Sequence, residues 1–430
     1  MTGAAHDRRR TLLAFVTVTS LFFAWGFISS NNDPLIVALR AAFTLDYTEA
    51  LLTQIVFFLA FGLLSLPAAW VTSRIGPVDM ILGSLALMGC GCLLVVASTN
   101  LAAFAPILAA LFVLAAGYTA LQVAANPLAA ALGPPERSHF RLSLAQAFNS
   151  LGVVIGVHFG SFVMLGDPAL RLGSEGLNPT QRYEVLVAVD RAFLIMAGLL
   201  LVLLAFFAFQ RRSLTRAAPP HLPLPAGMFE AMRSRWASFG AVAIGLYVGA
   251  EVSIGSIMIN FLNQPDVLDL SFEEAGAHLA NFYWGGALLG RIIGTLLLMR
   301  IPAARLLTVC GLAASSLCVT VLISDGAVGG YAALAIGFFN SIMFPTIFSL
   351  TLERSGVSHS ATSGLLCLAI LGGALLPFSV GAIADAFGLS VSFVVPLAAY
   401  AFIALFAFCA RRQKADPLPG DPAARASPIP

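Results

Sequence analysis

Residues 117–138, GYTALQVAANPLAAALGPPERS, and residues 337–355, GFFNSIMFPTIFSLTLERS, follow one plan. Each is an apolar run that carries an asparagine (Asn126, Asn340) and a proline, and each closes on Glu-Arg-Ser. The glutamate stands nine residues after Pro127 in the first copy and eight after Pro345 in the second. The stretches that follow also echo each other: Gly152 and Gly160 stand eight apart after the first copy, Gly373 and Gly381 eight apart after the second. Apolar segments that recur in the two halves of a chain read as a parallel 6+6 duplication of a membrane unit.

Working outward, a bilayer core of about 30 Å takes about 20 apolar residues per helix. Runs of that kind fall near 12–38, 49–70, 79–97, 102–131, 142–165 and 191–209, and again near 237–262, 275–299, 305–323, 328–352, 360–384 and 390–410. Of the 430 residues, 59% are apolar and only 10% charged, with a mean hydropathy of +0.91; a soluble domain carries about 25% charged residues. Water is not the main solvent of this chain. The expected fold is an all-α membrane protein of twelve transmembrane helices in two six-helix halves.

Basic residues set the orientation. With the N-terminus in the cytoplasm, Arg40, Arg171, Arg182 and Arg191 fall in outer segments and Arg291 within a span, and the other eighteen of the 23 Lys+Arg lie in inner segments. Both termini are therefore expected in the cytoplasm. Arg8, Arg9 and Arg10 before the first run imitate a secretory signal, but the run reaches about Leu39 and reads as an uncleaved span. The divisions expected are an N-terminus at 1–10, a first half at 11–209, a linker at 210–235, a second half at 236–410 and a tail at 411–430. The Pro-rich, basic connector RRSLTRAAPPHLPLPAGMFEAMRSRW suits a cytoplasmic linker and not a packed element, and the Pro- and Ala-rich tail suits disorder. The six cysteines all lie in apolar runs and read as free thiols; Cys90 and Cys92 have too few other donors nearby for a metal site.

An ionisable side chain costs about 2.5 to 3.5 kcal/mol at the centre of a span, so each one there is a functional candidate. Asp33 lies in SSNNDP, where Pro34 disfavours helix at the residue before it and removes a backbone donor. The first helix is expected to loosen there, with Ser29, Ser30, Asn31, Asn32 and Asp33 facing the protein interior. Asp33 is then either a proton-coupling or solute-binding acid or a helix end in the outer headgroup zone. Glu251 lies about 22 Å from the inner end of its helix at 1.5 Å per residue, beyond easy snorkelling. It faces a central cavity or makes a static interhelical hydrogen bond, and Ser253, Ser256 and Asn260 extend its polar stripe only in part. Arg291 is two turns from the cytoplasmic end, so a gating or structural ion pair with Glu136 or Glu353 suits it better than a ligand contact.

Neutral amides add to this set. Gln122 and Asn126 stand four apart, Gln146 and Asn149 three apart, each pair on one helix face. With Asn340 they offer the donors and acceptors that a polyhydroxylated solute needs, or else they serve as glue between helices. Trp284, Tyr247, Tyr283 and Phe282 are candidates to stack on a sugar ring, though aromatics in spans more often pack. His158 reads as a satisfied interior side chain. No HExxH, Walker, Rossmann or nucleophile–base arrangement is present, which argues against a membrane enzyme.

Taken together, FFAWGFISSNNDPLI, ALQVAANPL, FRLSLAQAFNSLG, YVGAEVSIGS, YWGGALLGRIIG, GFFNSIMFPTIFSL and SGLLCLAILGGALLP resemble the fucose, glucose and galactose proton symporters of the major facilitator superfamily over nearly the whole chain. The resemblance is nearest to the bacterial glucose/galactose branch. It implies hexose uptake by proton symport through alternating access in a cytoplasmic (inner) membrane. The partners implied are a small sugar, a proton and membrane lipid; a monomer is expected, with no nucleic acid, cofactor or metal. Alternatives within the fold are a carrier of N-acetylglucosamine or fucose and an uncoupled facilitator. In the fucose branch the aspartate matched by Asp33 is a key acid and a glutamate stands at the position of Gln122. A glutamine cannot titrate, which leaves Asp33 and Glu251 for proton coupling. The solute-binding set is then Asn32, Gln122, Asn126, Gln146, Asn149, Glu251, Asn260, Trp284 and Asn340, and the gating set Arg291, Glu136 and Glu353. NNDP also departs from the NDI-like run of relatives, so the backbone around Asp33 is expected to differ.

Overall fold

The computed structural model describes residues 2–45, 47–101, 103–164, 178–218, 227–270 and 272–413, with the side chains of 2–12, Asp33, 47–48, 50–51, 227–228 and 272–273 left aside. The segment holding Arg171 and the tail from 414 onward lie outside the described residues. Among the described residues there is no strand, and eleven helical runs are long and apolar enough to cross a membrane. The twelfth, expected at 275–299, is a continuous helical run over 272–297. It is built from α9 (Phe272–His278), a π-turn (Leu279–Trp284) and α10 (Gly285–Leu297).

The first span consists of α1 (Thr2–Ser29) and α2 (Asn32–Phe43), interrupted at Ser30 and Asn31. The expected loosening falls just before Pro34, whose missing N–H cannot reach the Ser30 carbonyl four residues back. Next come α3 (Tyr47–Ile75), α4 (Pro77–Thr99), α5 (Phe104–Ala131), α6 (Ser138–Met164) and α7 (Pro179–Ala217). Between α3 and α4 the chain turns on Gly76 at φ 88°, with Pro77 opening the new helix. The sixth span is much longer than the expected 191–209: α7 has 39 residues, about 58 Å at 1.5 Å per residue. Hydropathy marks only its apolar middle. Its start is set by a capping box in which Asn178 and Gln181 exchange side-chain and backbone hydrogen bonds.

The second half comprises α8 (Arg235–Asn263), the run over 272–297, α11 (Ala303–Ile323), α12 (Gly326–Asn340) with α13 (Met343–Arg354), α14 (His359–Leu368) with α15 (Gly372–Phe387), and α16 (Leu389–Ser392) with α17 (Val394–Arg412). The tenth span is thus broken between α12 and α13, just before Pro345. The connector is not wholly unpacked: α7 continues to Ala217, and a 3-10 turn over Gly227–Arg233 buries Ala231 and Glu230 before Ser234 caps α8.

By backbone proximity the chain forms two compact units, one of Met1–Gly133 with Phe148–Pro223 and the other of Pro134–Ala147 with Leu224–Pro430. The opening turns of α6 therefore group with the second unit, whose residues they bond. In the first unit, Gly152, Gly156 and Gly160 recur every four residues along α6 and lie against α1 and the turn after it. A Cβ on Gly152 would meet the Phe23 carbonyl, one on Gly156 the Phe27 carbonyl and Ser30 hydroxyl, and one on Gly160 the Asn31 amide oxygen at 2.5 Å. The second unit repeats the device with Gly290 against the Phe338 carbonyl and Gly337 against the Tyr283 carbonyl. Lipid is as apolar as leucine, so close backbone approach between small residues drives this packing.

Gly152→Val is expected to cost at least 1 to 3 kcal/mol by overpacking, whereas Gly198, with nothing within 4 Å of a Cβ, should accept alanine with a gain of up to about 1 kcal/mol in helix propensity. Thermal unfolding of the detergent-solubilised protein checks both, the valine variant melting lower and the alanine variant at or above the parent.

Candidate functional site

In the first unit the polar turn at 29–32 is held by its own helix. Asn31 is buried; its amide nitrogen donates to the Phe27 carbonyl at 2.6 Å, while Ser30 donates to the same carbonyl at 3.1 Å. The side-chain oxygens of Asn31 and Asn32 are buried and without a partner among the described residues. The backbone of Asp33 lies in the first turn of α2; its side chain is outside the described residues. On α5, Gln122 and Asn126 are both buried one turn apart. Tyr118, one turn earlier on the same face, is ringed edge-on by Trp25, Phe57 and Phe61 at 6.0, 6.2 and 5.8 Å. Apolarity alone does not single out that aromatic cluster, although the four-residue spacing of Tyr118 and Gln122 signals it. Asn149 donates to the Phe22 carbonyl at 3.2 Å and so works at least partly as glue between α6 and α1.

The second unit holds Glu251, sixteen residues into α8. Tyr247, one turn before it, donates its hydroxyl to the Glu251 carboxylate at 2.8 Å. Tyr283, from the π-turn, donates to the Glu251 backbone carbonyl at 3.4 Å, and the Asn340 amide nitrogen donates to the Tyr283 oxygen at 2.9 Å. Tyr247, Tyr283 and Asn340 are buried, whereas Glu251 keeps part of its surface open. Tyr247 is therefore the partner of the Glu251 carboxylate and Tyr283 of the Glu251 backbone carbonyl, and as buried side chains they do not present faces to a sugar ring. Asn340 is sealed beneath Tyr283, while Asn260 is exposed on α8. Trp284 is 46% exposed and meets Tyr283 edge-on at 5.0 Å; Phe282 packs with His278 and Tyr331. His158 is exposed and bonds only along its own helix, to the Val154 carbonyl, contrary to its reading as an interior side chain.

Arg291 on α10 donates Nε to the Ser341 carbonyl at 2.8 Å and Nη1 to the Gln146 carbonyl at 3.3 Å. The Ser341 carbonyl is the one that Pro345, four residues on, cannot serve. A cation at the end of α12 also faces the negative end of that helix. Arg291 thus completes the broken tenth span and ties it to buried Gln146. Of the two glutamates expected near it, Glu136 is exposed on the 3-10 turn Pro135–Arg137. Glu353 is held by Ser138 at 2.6 Å, His139 at 3.1 Å and Arg354 at 3.0 Å, and His139 also bonds Ser349 at 2.6 Å. Ser138 and His139 follow directly on the first Glu-Arg of the duplicated pattern, and Glu353 belongs to the second, so the repeated motifs meet each other.

Residues 14–368 match the Major Facilitator Superfamily. The chain is similar to the glucose/galactose transporter of Brucella abortus biovar 1 (strain 9-941), 41% identical over 393 residues, 91% of this chain and 93% of that protein. It is similar to the L-fucose-proton symporter of Escherichia coli (strain K12), 29% identical over 419 residues and 94% of each chain. Among solved structures it resembles that of a Major Facilitator Superfamily transporter, FucP, in the outward conformation, with a TM-score of 0.83 and 26% identity over 93% of this chain and 99% of that one.

Removing the guanidinium should destabilise the second unit. Arg291→Met leaves the Ser341 carbonyl without a charged donor, a loss of about 1.5 to 3 kcal/mol, while Arg291→Lys, with a single point charge in place of a fork, is expected to recover only part of it. Unfolding midpoints of the three purified proteins should rank parent, lysine, methionine.

Proposed function

The chain belongs to the Major Facilitator Superfamily, a family of transporters and not of enzymes, and from that premise we propose that it imports a hexose of the glucose or galactose type by proton symport. What supports this reading is that relatives named for glucose/galactose transport and L-fucose-proton symport align with more than nine-tenths of the chain. The transporter sits in the inner membrane with both termini in the cytoplasm, works as a monomer, and alternates access by means of its halves at 11–209 and 236–410.

Glu251 and Asp33 load the proton, because the neutral Gln122 cannot. Glu251 is suited to this role. Glu251, partly exposed and far inside a span, accepts a hydrogen bond from Tyr247 through its carboxylate. The solute-binding residues are Asn32, Gln122, Asn126 and Asn149 in the first unit, and Gln146, Glu251, Asn260, Trp284 and Asn340 in the second. Glu353, with Ser138 and His139, closes the inner side, while Glu136 and Arg291 support it. One proton moving through about 100 mV supplies about 2.3 kcal/mol, or roughly fiftyfold accumulation.

Gln122 also gives weight to a second reading, an uncoupled facilitator, since one titratable site of the fucose branch is absent. Uptake of labelled D-glucose and D-galactose into cells, with and without an uncoupler, decides between them. Coupled transport predicts accumulation that collapses with the uncoupler, and Asp33→Asn should lose accumulation while keeping exchange. Equal levels inside and outside in energised cells, unaffected by Asp33→Asn, would establish facilitation.

A further inference from the structure

The helical run over 272–297 contains one feature that its composition does not call for, the π-turn at Leu279–Trp284. A π-turn fits an extra residue into the helix and so rotates everything on one side of it relative to the other. Here the rotation leaves Tyr283 completely buried and Trp284 46% exposed. Gly337 on α12 makes room for it, because a Cβ there would collide with the Tyr283 carbonyl. The Tyr283 hydroxyl spends its hydrogen on the Glu251 carbonyl and accepts from Asn340. Tyr247 reaches the carboxylate itself. The partly exposed Glu251 thus stands on two buried hydroxyls and one buried amide from α8, the π-turn and α12.

We infer that Tyr247 and Tyr283 are positioning residues that hold Glu251 in place for protonation, and that the π-turn of the eighth span serves to aim Tyr283 at it. The inference rests on the proton-loading role proposed for Glu251. The titratable and charged groups that face Glu251 are Tyr247 on its own helix and Tyr283 and Arg291 from the run over 272–297. Asn340 acts one step removed, through Tyr283. A donor on the charged form of an acid favours that form, so removing the Tyr247 hydroxyl should let Glu251 take its proton at higher pH.

The test is the pH profile of D-galactose exchange and of proton-driven D-galactose uptake in proteoliposomes. It compares the parent protein with Tyr247→Phe, Tyr283→Phe and Glu251→Gln, each checked for its unfolding midpoint. Glu251→Gln should alter the pH profile, and the dependence that remains belongs to Asp33. Tyr247→Phe should keep exchange and shift its pH midpoint upward by about one unit, the worth of one hydrogen bond. Tyr283→Phe, which frees the backbone beneath Glu251, should shift the midpoint in the same sense by less. A Glu251→Gln profile that departs from the parent's beside Tyr247→Phe and Tyr283→Phe profiles that match it overturns the positioning roles and leaves the proton-loading reading standing. A Glu251→Gln profile equal to the parent's defeats that reading and this inference with it. Should Tyr247→Phe fail to fold, Glu251→Asp draws the carboxylate away from the same hydroxyl, and an unshifted midpoint there counts against the inference.

Discussion

A proline within a membrane helix leaves a backbone carbonyl without its donor, and hydrocarbon has no water to replace it. The tenth span meets this constraint at Pro345, and its answer is the bond from Arg291 to the Ser341 carbonyl at 2.8 Å. Much of the second unit follows from that bond. It allows α12 and α13 to be separate helices, which places Asn340 at the end of the first. It also puts a guanidinium against the carbonyl of Gln146. A charge that would be costly alone is thereby spent on two backbone carbonyls and a helix end at once.

The first span faces the same constraint at Pro34 with other means. Its polar side chains fold back on their own helix, Ser30 and Asn31 both donating to the Phe27 carbonyl. The glycines of α6 then allow that irregular turn to lie against a neighbouring backbone. Both halves thus place an irregular helix beside a glycine-lined one, and both set candidate solute or proton residues at the irregularity. The two arrangements are not copies made by the duplication: the first half breaks its first span at Ser30 and Asn31, while α5 runs unbroken through Pro127.

The spans were legible because the length and apolarity of a membrane helix are dictated by the bilayer, and the break near Asp33 was legible because proline chemistry is local. The ends of α7 were not: outside the hydrocarbon a helix needs caps, as at Asn178, and hydropathy does not register them. The carboxylates stood out in the sequence by their cost. What they touch did not, since the π-turn that buries Tyr283 has no compositional mark and Arg291 bonds to main chain, which carries no residue signature. Tyr247 was the exception that periodicity offered, four residues before Glu251 on one helix face. His158 misled because an ionisable ring within an apolar run suggests burial, yet it is exposed and bonds the Val154 carbonyl of its own helix.

The proton-loading role proposed for Glu251 rests on a carboxylate that accepts a hydrogen bond from Tyr247 within a membrane-spanning helix. Its protonation can be observed without transport. Infrared difference spectra of the reconstituted protein, recorded while pH is stepped across the working range with and without D-galactose, resolve the carbonyl stretch of a protonated carboxylic acid. Proton loading at Glu251 predicts a band that grows on acidification, responds to the sugar and is missing from Glu251→Gln. A band of full strength and unchanged sugar response in Glu251→Gln would contradict it.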